Sequence, residues 1–336
     1  MKAISVNKVS HFKKNVVLFG LISVLLVTLS ILTGCSTGEP APDDSSSPNT
    51  STSTTEADPR SDWPKTIGFA LLPTEDMEFL GKTYEPFIKY LEERLDVTIE
   101  LHFPTDYTAT VEAMRGGHVE ISTFGPFSFV LAHDRANAEP VAIRLTTPED
   151  EPTYESFIIT RKSTGIETVA DLKDKNFAYA DPASTSGHLF PKAHIMEQMN
   201  LSLSEVDSDF FANTVFSGSH EASFLSVLNG DVDAAAIYDR AWTRFYERNS
   251  NHPNIDEMIV IDKTKPIPNS PFTVRGDLPE SFKKELQDAM IDLINHQDDP
   301  EILAFLQETD AMGGYFLADM STYQIVRDTA TLLEMD

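Results

Sequence analysis

The sequence predicts an α/β protein of two lobes, with mostly parallel sheets flanked by helices and two chain segments crossing between the lobes. Two observations carry this. Short apolar, strand-like runs alternate with helical patterns, which is how helix-covered parallel sheets are written. The alternation also occurs twice, once over residues 66–147 and again from about residue 169 to residue 262.

Taken in order, the chain opens on residues that read as part of neither lobe. Lys2, Lys8, Lys13 and Lys14 form a basic start, VVLFGLISVLLVTLSIL is apolar, and LTGC ends at Cys35. An apolar run of this length also suits a plain membrane anchor. The small residues before the cysteine match a bacterial lipobox instead. Residues 1–34 are therefore predicted to be a lipoprotein signal peptide, cleaved to leave a lipidated Cys35, the only cysteine of the chain. Several acyl chains on one terminus tether a protein stably, so the expected location is the extracytoplasmic face of the cell membrane. Residues 35–62 lack aliphatic runs and are dense in Ser, Thr, Pro and acid, which predicts a disordered tether.

The first set of elements comes next. TIGFALLP reads as a strand, and KTYEPFIKYLEERL sets Tyr84, Phe87, Ile88, Leu91 and Leu95 on one helical face. VTIELHF alternates as a strand does. A helix from about Tyr107, the strand HVEISTF, a helix opening at Pro126 and the strand VAIRLTT complete the set. The second set begins near Val169. NFAYAD is a strand whose helix starts around Ser184, DFFANTVF is extended, and SHEASFLSVLNG is a helix closed by Gly230. DVDAAAIY is a buried strand, a helix carries Trp242 and Phe245, and MIVID is the last strand. The segment TKPIPNSPFTVR, stiffened by its three prolines, leads to three helices from about Pro279, Pro300 and Ser321, with no new strands beside them. These helices are expected to pack on the first lobe. Lobe I is thus predicted over residues 63–163 and 265–336, lobe II over residues 164–264, with crossings near residues 153–161 and 265–275. A cleft between such lobes is where ligands bind.

Composition excludes one class of partner. The chain carries 26 basic and 53 acidic residues for a net charge of −27, and no basic stripe exists to replace the counterions of a nucleic acid. An anionic small ligand is not excluded, because binding is decided by local dipoles and not by net charge.

Four helices that follow strands open on small or polar residues. DPASTSGHLFP places Ser184, Thr185, Ser186 and Gly187 before an apolar run. STFGPF brings Phe124 and Gly125 ahead of Pro126, TDYTAT puts Tyr107 after Asp106, and FSGSHEAS opens on Gly218, Ser219 and His220. One hydroxyl suffices to cap a helix, and the first of these starts has three. Free N–H groups and the positive end of the helix dipole favour negative charge, and hydroxyls add donors with little bulk. Each start alone reads as ordinary capping. Four of them, divided between the lobes, point to an anion held between converging helix N-termini.

Two competing chemistries are weaker. HEASF holds the front half of a zinc-binding HExxH motif, but Phe224 stands where the second His belongs, and His188 and His194 do not share a helix face. Ser184, His220 and Asp239 supply the residue types of a hydrolase triad without the GxSxG elbow that would present a nucleophile. No metal, no cofactor and no catalysis are expected.

The order DYTATVEAMRGGHVEISTFGPFSFVLA, ADPASTSGHLFPKA and VFSGSHEASFLSVLNGDVDAAAIYD resembles the phosphate/phosphite/phosphonate-binding proteins of ABC importers. The resemblance covers residues 63–336. It implies a type II periplasmic-binding-protein fold, a monomer that captures a phosphorus oxyanion (phosphite, phosphate or a small phosphonate) and hands it to ABC permease subunits. It implies that Ser184, Thr185 and Ser186 hold phosphoryl oxygens, that His220 donates to the same group, that Tyr107 contacts it from lobe I, and that Tyr154 lines the wall. A receptor of the same fold feeding a sensor kinase is the alternative. Relatives that hold an aminoalkyl phosphonate place acids near the loop that reads PIPNSP here and near the helix after the VDAA strand. This chain has Ser270 in the loop, and after the strand Asp239 followed by Arg240. Asp239 in that place would accept a hydrogen bond from a protonated P–OH.

Overall fold

Residues 60–335 are described here in a computed structural model. The predicted signal peptide, Cys35 and all but the end of the predicted tether lie outside the described residues. β1 (Thr66–Ala70) is buried after its first residue. Asp76 then caps α1 (Met77–Leu95), its carboxylate accepting the Phe79 N–H at 2.8 Å. This cap and the acidic Glu78 in the first turn start the helix earlier than its apolar spacing suggested. β2 (Thr98–His102), α2 (Tyr107–Arg115), β3 (Ile121–Thr123), α3 (Pro126–Ala136) and β4 (Ala138–Leu145) come after it.

The chain then crosses over through β5 (Thr153–Tyr154). β6 (Ser156–Arg161), β7 (Asn176–Tyr179), α4 (Phe190–Met199), the single turn α5 (Leu203–Glu205), β8 (Asn213–Phe216), α6 (His220–Asn229), β9 (Ala234–Tyr238), α7 (Asp239–Arg248) and β10 (Met258–Lys263) build lobe II. The return runs through β11 (Ile267–Pro268), β12 (Pro271–Arg275), α8 (Glu280–Asp292), α9 (Pro300–Glu308), β13 (Gly314–Leu317) and α10 (Gln324–Leu332).

The lobe I sheet has the order β13-β4-β12-β3-β1-β2 and the lobe II sheet the order β10-β6-β9-β7-β8, while β5 and β11 pair as a two-strand ribbon. Three expectations change. The sheets are mixed, because each chain segment that arrives from the other lobe enters antiparallel. β12 runs against both β3 and β4, and β6 runs against both β9 and β10. The proline-rich return segment is also not a mere connector. Pro271 stands at the first residue of a strand, where a missing N–H is tolerated, and β12 lies inside the sheet with β13 joining at its edge. Finally, β6 pairs within the second sheet, so lobe I ends before Ser156 and not at residue 163.

The lobe I core is aromatic. Phe87 stacks on Phe305 of α9 with ring centroids 4.9 Å apart, and both Phe69 and Phe87 meet Phe272 of β12 edge-on. Residues from α8 and α9, including Phe282, Leu286 and Leu306, are buried in the same cluster, so the C-terminal helices complete the first lobe. Full burial of one such ring contributes roughly 1.5–3 kcal/mol.

Candidate ligand-binding site

The hydroxyl-rich stretch sits where β7 gives way to α4. The Ala180 N–H donates to the Gly187 carbonyl at 3.0 Å, folding the stretch back over the strand end. Its first turn, Thr185–Leu189, is a wide π-helical turn, a geometry that recurs at functional sites. Gly187 is required by crowding. A Cβ there would lie 2.4 Å from that of Ala180 and 2.8 Å from Ser184 Oγ. The close approach lets the Gly187 N–H donate to Ser184 Oγ at 2.9 Å, and Ser184 Oγ lies 3.2 Å from His220 Nε2.

His220, the first residue of α6, is buried, and its Nδ1 has no hydrogen-bond partner among the described residues. With the proton on Nδ1, Ser184 donates to Nε2 and the Nδ1–H is left over. With the proton on Nε2, the Ser184 O–H is left over. In either tautomer the pair keeps one unused donor proton. Burial, with Arg244 nearby, lowers the His220 pKa to about 3, so the ring is neutral.

Lobe I meets these groups directly. The Phe127 N–H of α3 donates to Thr185 Oγ1 at 2.7 Å. The Tyr107 N–H of α2 reaches Asp181 Oδ2 at 3.4 Å. In return, the Thr74 carbonyl accepts the N–H groups of His220 and Glu221 at 3.0 and 3.3 Å. Helix N-termini of each lobe are thus capped by the other, and the lobes are closed on one another.

Between them lies a cavity of about 130 Å³. Lobe II contributes Ser184, Thr185, Ser186 and His220 to its wall, and lobe I contributes Tyr107, Phe124 and Gly125. Tyr154 and Ser270 line it from the two crossings. The Tyr107 hydroxyl is buried without a well-formed hydrogen bond, with Ser184 its neighbour, and burial holds its pKa far above the ordinary phenol value. The Tyr154 hydroxyl faces those of Ser186 and Thr185, and burial pushes its pKa to about 12. The predicted site residues are therefore brought together with one exception. Asp239 is not part of the lining: its two oxygens accept the N–H groups of Glu155 and Arg240, at 3.0 and 2.7 Å, and tie the start of α7 to the first crossing.

Sequence reasoning missed Glu75, Arg144, Tyr238 and Arg244, which also line the cavity. Arg144 left a trace, as a charge between the buried Ile143 and Leu145 of a strand. Glu75 left none. Among the described residues no group of His, Cys, Asp and Glu is placed to hold a metal ion.

Two sheets joined by crossing segments, with a walled cavity between helix N-termini, define a type II periplasmic binding protein. The chain belongs to the family of ABC transporter, phosphonate, periplasmic substrate-binding proteins, which it matches over residues 69–323. It is 31% identical over 247 residues to the phosphonates-binding periplasmic protein of Escherichia coli K12, covering 72% of this chain and 70% of that one. It is 34% identical over 180 residues to a phosphate-import protein of Mycolicibacterium smegmatis, a match that spans 53% of this chain and only 56% of the relative. Its fold superposes on the binding-protein component of an ABC phosphonate transporter from Pseudomonas aeruginosa, with a TM-score of 0.71, 26% identity, and coverage of 81% of this chain and 87% of that chain. A Prochlorococcus marinus protein in complex with methylphosphonate shares the fold, with a TM-score of 0.72, 22% identity, and coverage of 81% of this chain and the whole of that one.

Proposed function

We propose that this protein captures a phosphorus oxyanion between its lobes and delivers it to an ABC importer. The observation that carries the reading is the set of neutral donors without partners, Tyr107 Oη and the Ser184–His220 pair, buried in one cavity beside the N-termini of helices from both lobes. Such donors cost free energy when buried unpaired, and a multivalent anion satisfies several at once. Ser184, Thr185 and Ser186 hold phosphoryl oxygens from lobe II, His220 adds a donor, Tyr107 closes from lobe I beside Phe124 and Gly125, and Tyr154 and Ser270 form the wall. Asp239 stays outside this contact set because both of its oxygens are committed to backbone N–H groups. Binding without chemical turnover fits this arrangement, with the protein a monomer held at the extracytoplasmic face of the membrane by lipid on Cys35. Residues 1–34 are the cleaved signal, and residues 35–62 are a tether that lets the lobes reach the permease.

A thermal-shift panel of phosphate, phosphite, methylphosphonate and 2-aminoethylphosphonate, set against sulfate, tests the ligand class. The phosphorus anions are expected to raise the melting temperature, with the amine-free members ahead of 2-aminoethylphosphonate, since Ser270 is neutral and Asp239 is occupied. A shift with sulfate alone, or with none of the phosphorus anions, overturns the reading. Palmitate labelling that is equal in wild type and Cys35→Ala would overturn the anchor.

A further inference from the structure

The cavity reaches past the hydroxyl-rich stretch. The remaining space is walled by Tyr84, Phe272 and Tyr315 and by two guanidinium groups, those of Arg144 and Arg244. Arg144 Nη1 donates to the Thr309 carbonyl at 2.7 Å and Arg244 Nη2 to Glu75 Oε1 at 2.9 Å. In both residues Nε is buried and has no partner among the described residues.

Two acids line the cavity, Glu75 and the solvent-exposed Glu308. Glu75 accepts Arg244 through one oxygen and Arg248 through the other, at 2.9 and 2.7 Å. Asp310 faces Arg244 at 3.7 Å and is not part of the lining. An ammonium placed beside Arg144 and Arg244 would meet two cations, while Glu75 is committed to Arg244 and Arg248 and the other lining acid, Glu308, is exposed to solvent. A carboxylate would meet two Nε–H donors that lack acceptors, one from each guanidinium.

We propose that this end of the cavity takes a carboxylate carried on the carbon substituent of a phosphonate, with Arg144 and Arg244 as the residues that select it. The inference rests on the phosphorus-oxyanion reading above and names the substituent.

Calorimetry on the full chain in detergent solution with 3-phosphonopropionate, propylphosphonate and 2-aminoethylphosphonate tests it. 3-Phosphonopropionate is expected to bind at least tenfold more tightly than either of the others. In Arg144→Met that ratio should fall to near one, and Arg144→Lys, which keeps the charge without the fork, should retain part of it. If propylphosphonate binds as well as 3-phosphonopropionate to the wild type, the carboxylate assignment is wrong while the phosphorus reading stands. If 3-phosphonopropionate keeps its advantage in Arg144→Met, Arg144 is not the selecting residue. If none of the three binds and phosphate and methylphosphonate also fail, the underlying reading has failed instead.

Discussion

The Phe127 backbone N–H on lobe I donates to the Thr185 hydroxyl on lobe II at 2.7 Å, which caps a helix whose own N-cap, Gly125, has no side chain. A hydroxyl that accepts in this way has its proton free to donate elsewhere. One residue thereby joins closure of the lobes to the donor set of the cavity.

Thr185→Val removes the hydroxyl while keeping the shape. A hydrogen bond to a charged group is worth roughly 1.5–3 kcal/mol, so affinity for the best phosphorus anion should fall about ten- to a hundredfold. Thr185→Ser should recover most of it. The melting temperature without ligand should move far less than the affinity. Unchanged binding by calorimetry with a large loss of ligand-free melting temperature would mean that the hydroxyl only caps.

Gly187 offers a second handle on the same stretch. The Cβ of Gly187→Ala would come 2.4 Å from the Ala180 Cβ and 2.9 Å from His220 Cε1 as well as crowding Ser184 Oγ. Three neighbours must shift at once, so overpacking should cost about 1–3 kcal/mol of stability and displace the Ser184–His220 pair. Binding and melting temperature should therefore fall together in this variant, unlike Thr185→Val. Binding at wild-type strength in Gly187→Ala would show that the pair is not needed for the ligand.

The hydroxyl stretch was legible in the sequence because three hydroxyls exceed what a cap uses, and the structure shows two of them capping while lining the cavity. Ser184 accepts from Gly187 within its own turn, and Thr185 caps a helix of the other lobe. The far end of the cavity was not legible. Arg144 alternates with the apolar Ile143 and Leu145, a pattern that fits the outer face of any strand, and nothing local places α7 across the cleft so that Arg244 meets Glu75. β12 was hidden because the three prolines at and before its start argue against a strand, although Pro271 occupies the first strand position, which tolerates it. The parallel pattern was read correctly within each half, as in β1–β2 and β7–β8. Two antiparallel members, β6 and β12, are strands that arrive from the other lobe, and β13 joins β4 from among the C-terminal helices where no strand was expected, long-range pairings that no local period encodes.

Glu75 joins the lobes by charge. It is 6% exposed, sits in the loop after β1, and pairs with Arg244 and Arg248 of α7 in lobe II. In Glu75→Gln the closed form would bury two guanidinium groups without their carboxylate, while opening would return them to water. The variant should favour the open form, with a larger radius of gyration by small-angle X-ray scattering in the absence of ligand. Its affinity should be lower in proportion to the closed population lost. Scattering curves that match the wild type both with and without ligand would remove Glu75 from the closing mechanism.

His220 gives the last prediction, which concerns pH in the ligand-free protein. Burial lowers its pKa to about 3 from an ordinary value of 6.5, so the folded form keeps the ring neutral while the unfolded chain protonates it. The stability it contributes is therefore complete above pH 6.5 and is lost as pH falls from there toward 3. At pH 5 the loss is about 2 kcal/mol, or roughly 3–4 °C in melting temperature for a protein of this size. His188, lowered to about 4 by burial, adds a loss in the same direction. Asp181 and Asp239 act oppositely, because burial raises their carboxyls and makes the folded form the better proton acceptor. These other groups are shared by wild type and His220→Gln, so the difference between the two proteins isolates His220. The fall in melting temperature between pH 7.5 and pH 5 should be smaller in His220→Gln by about 3–4 °C. An identical fall in both proteins would show that His220 is not held neutral by the fold.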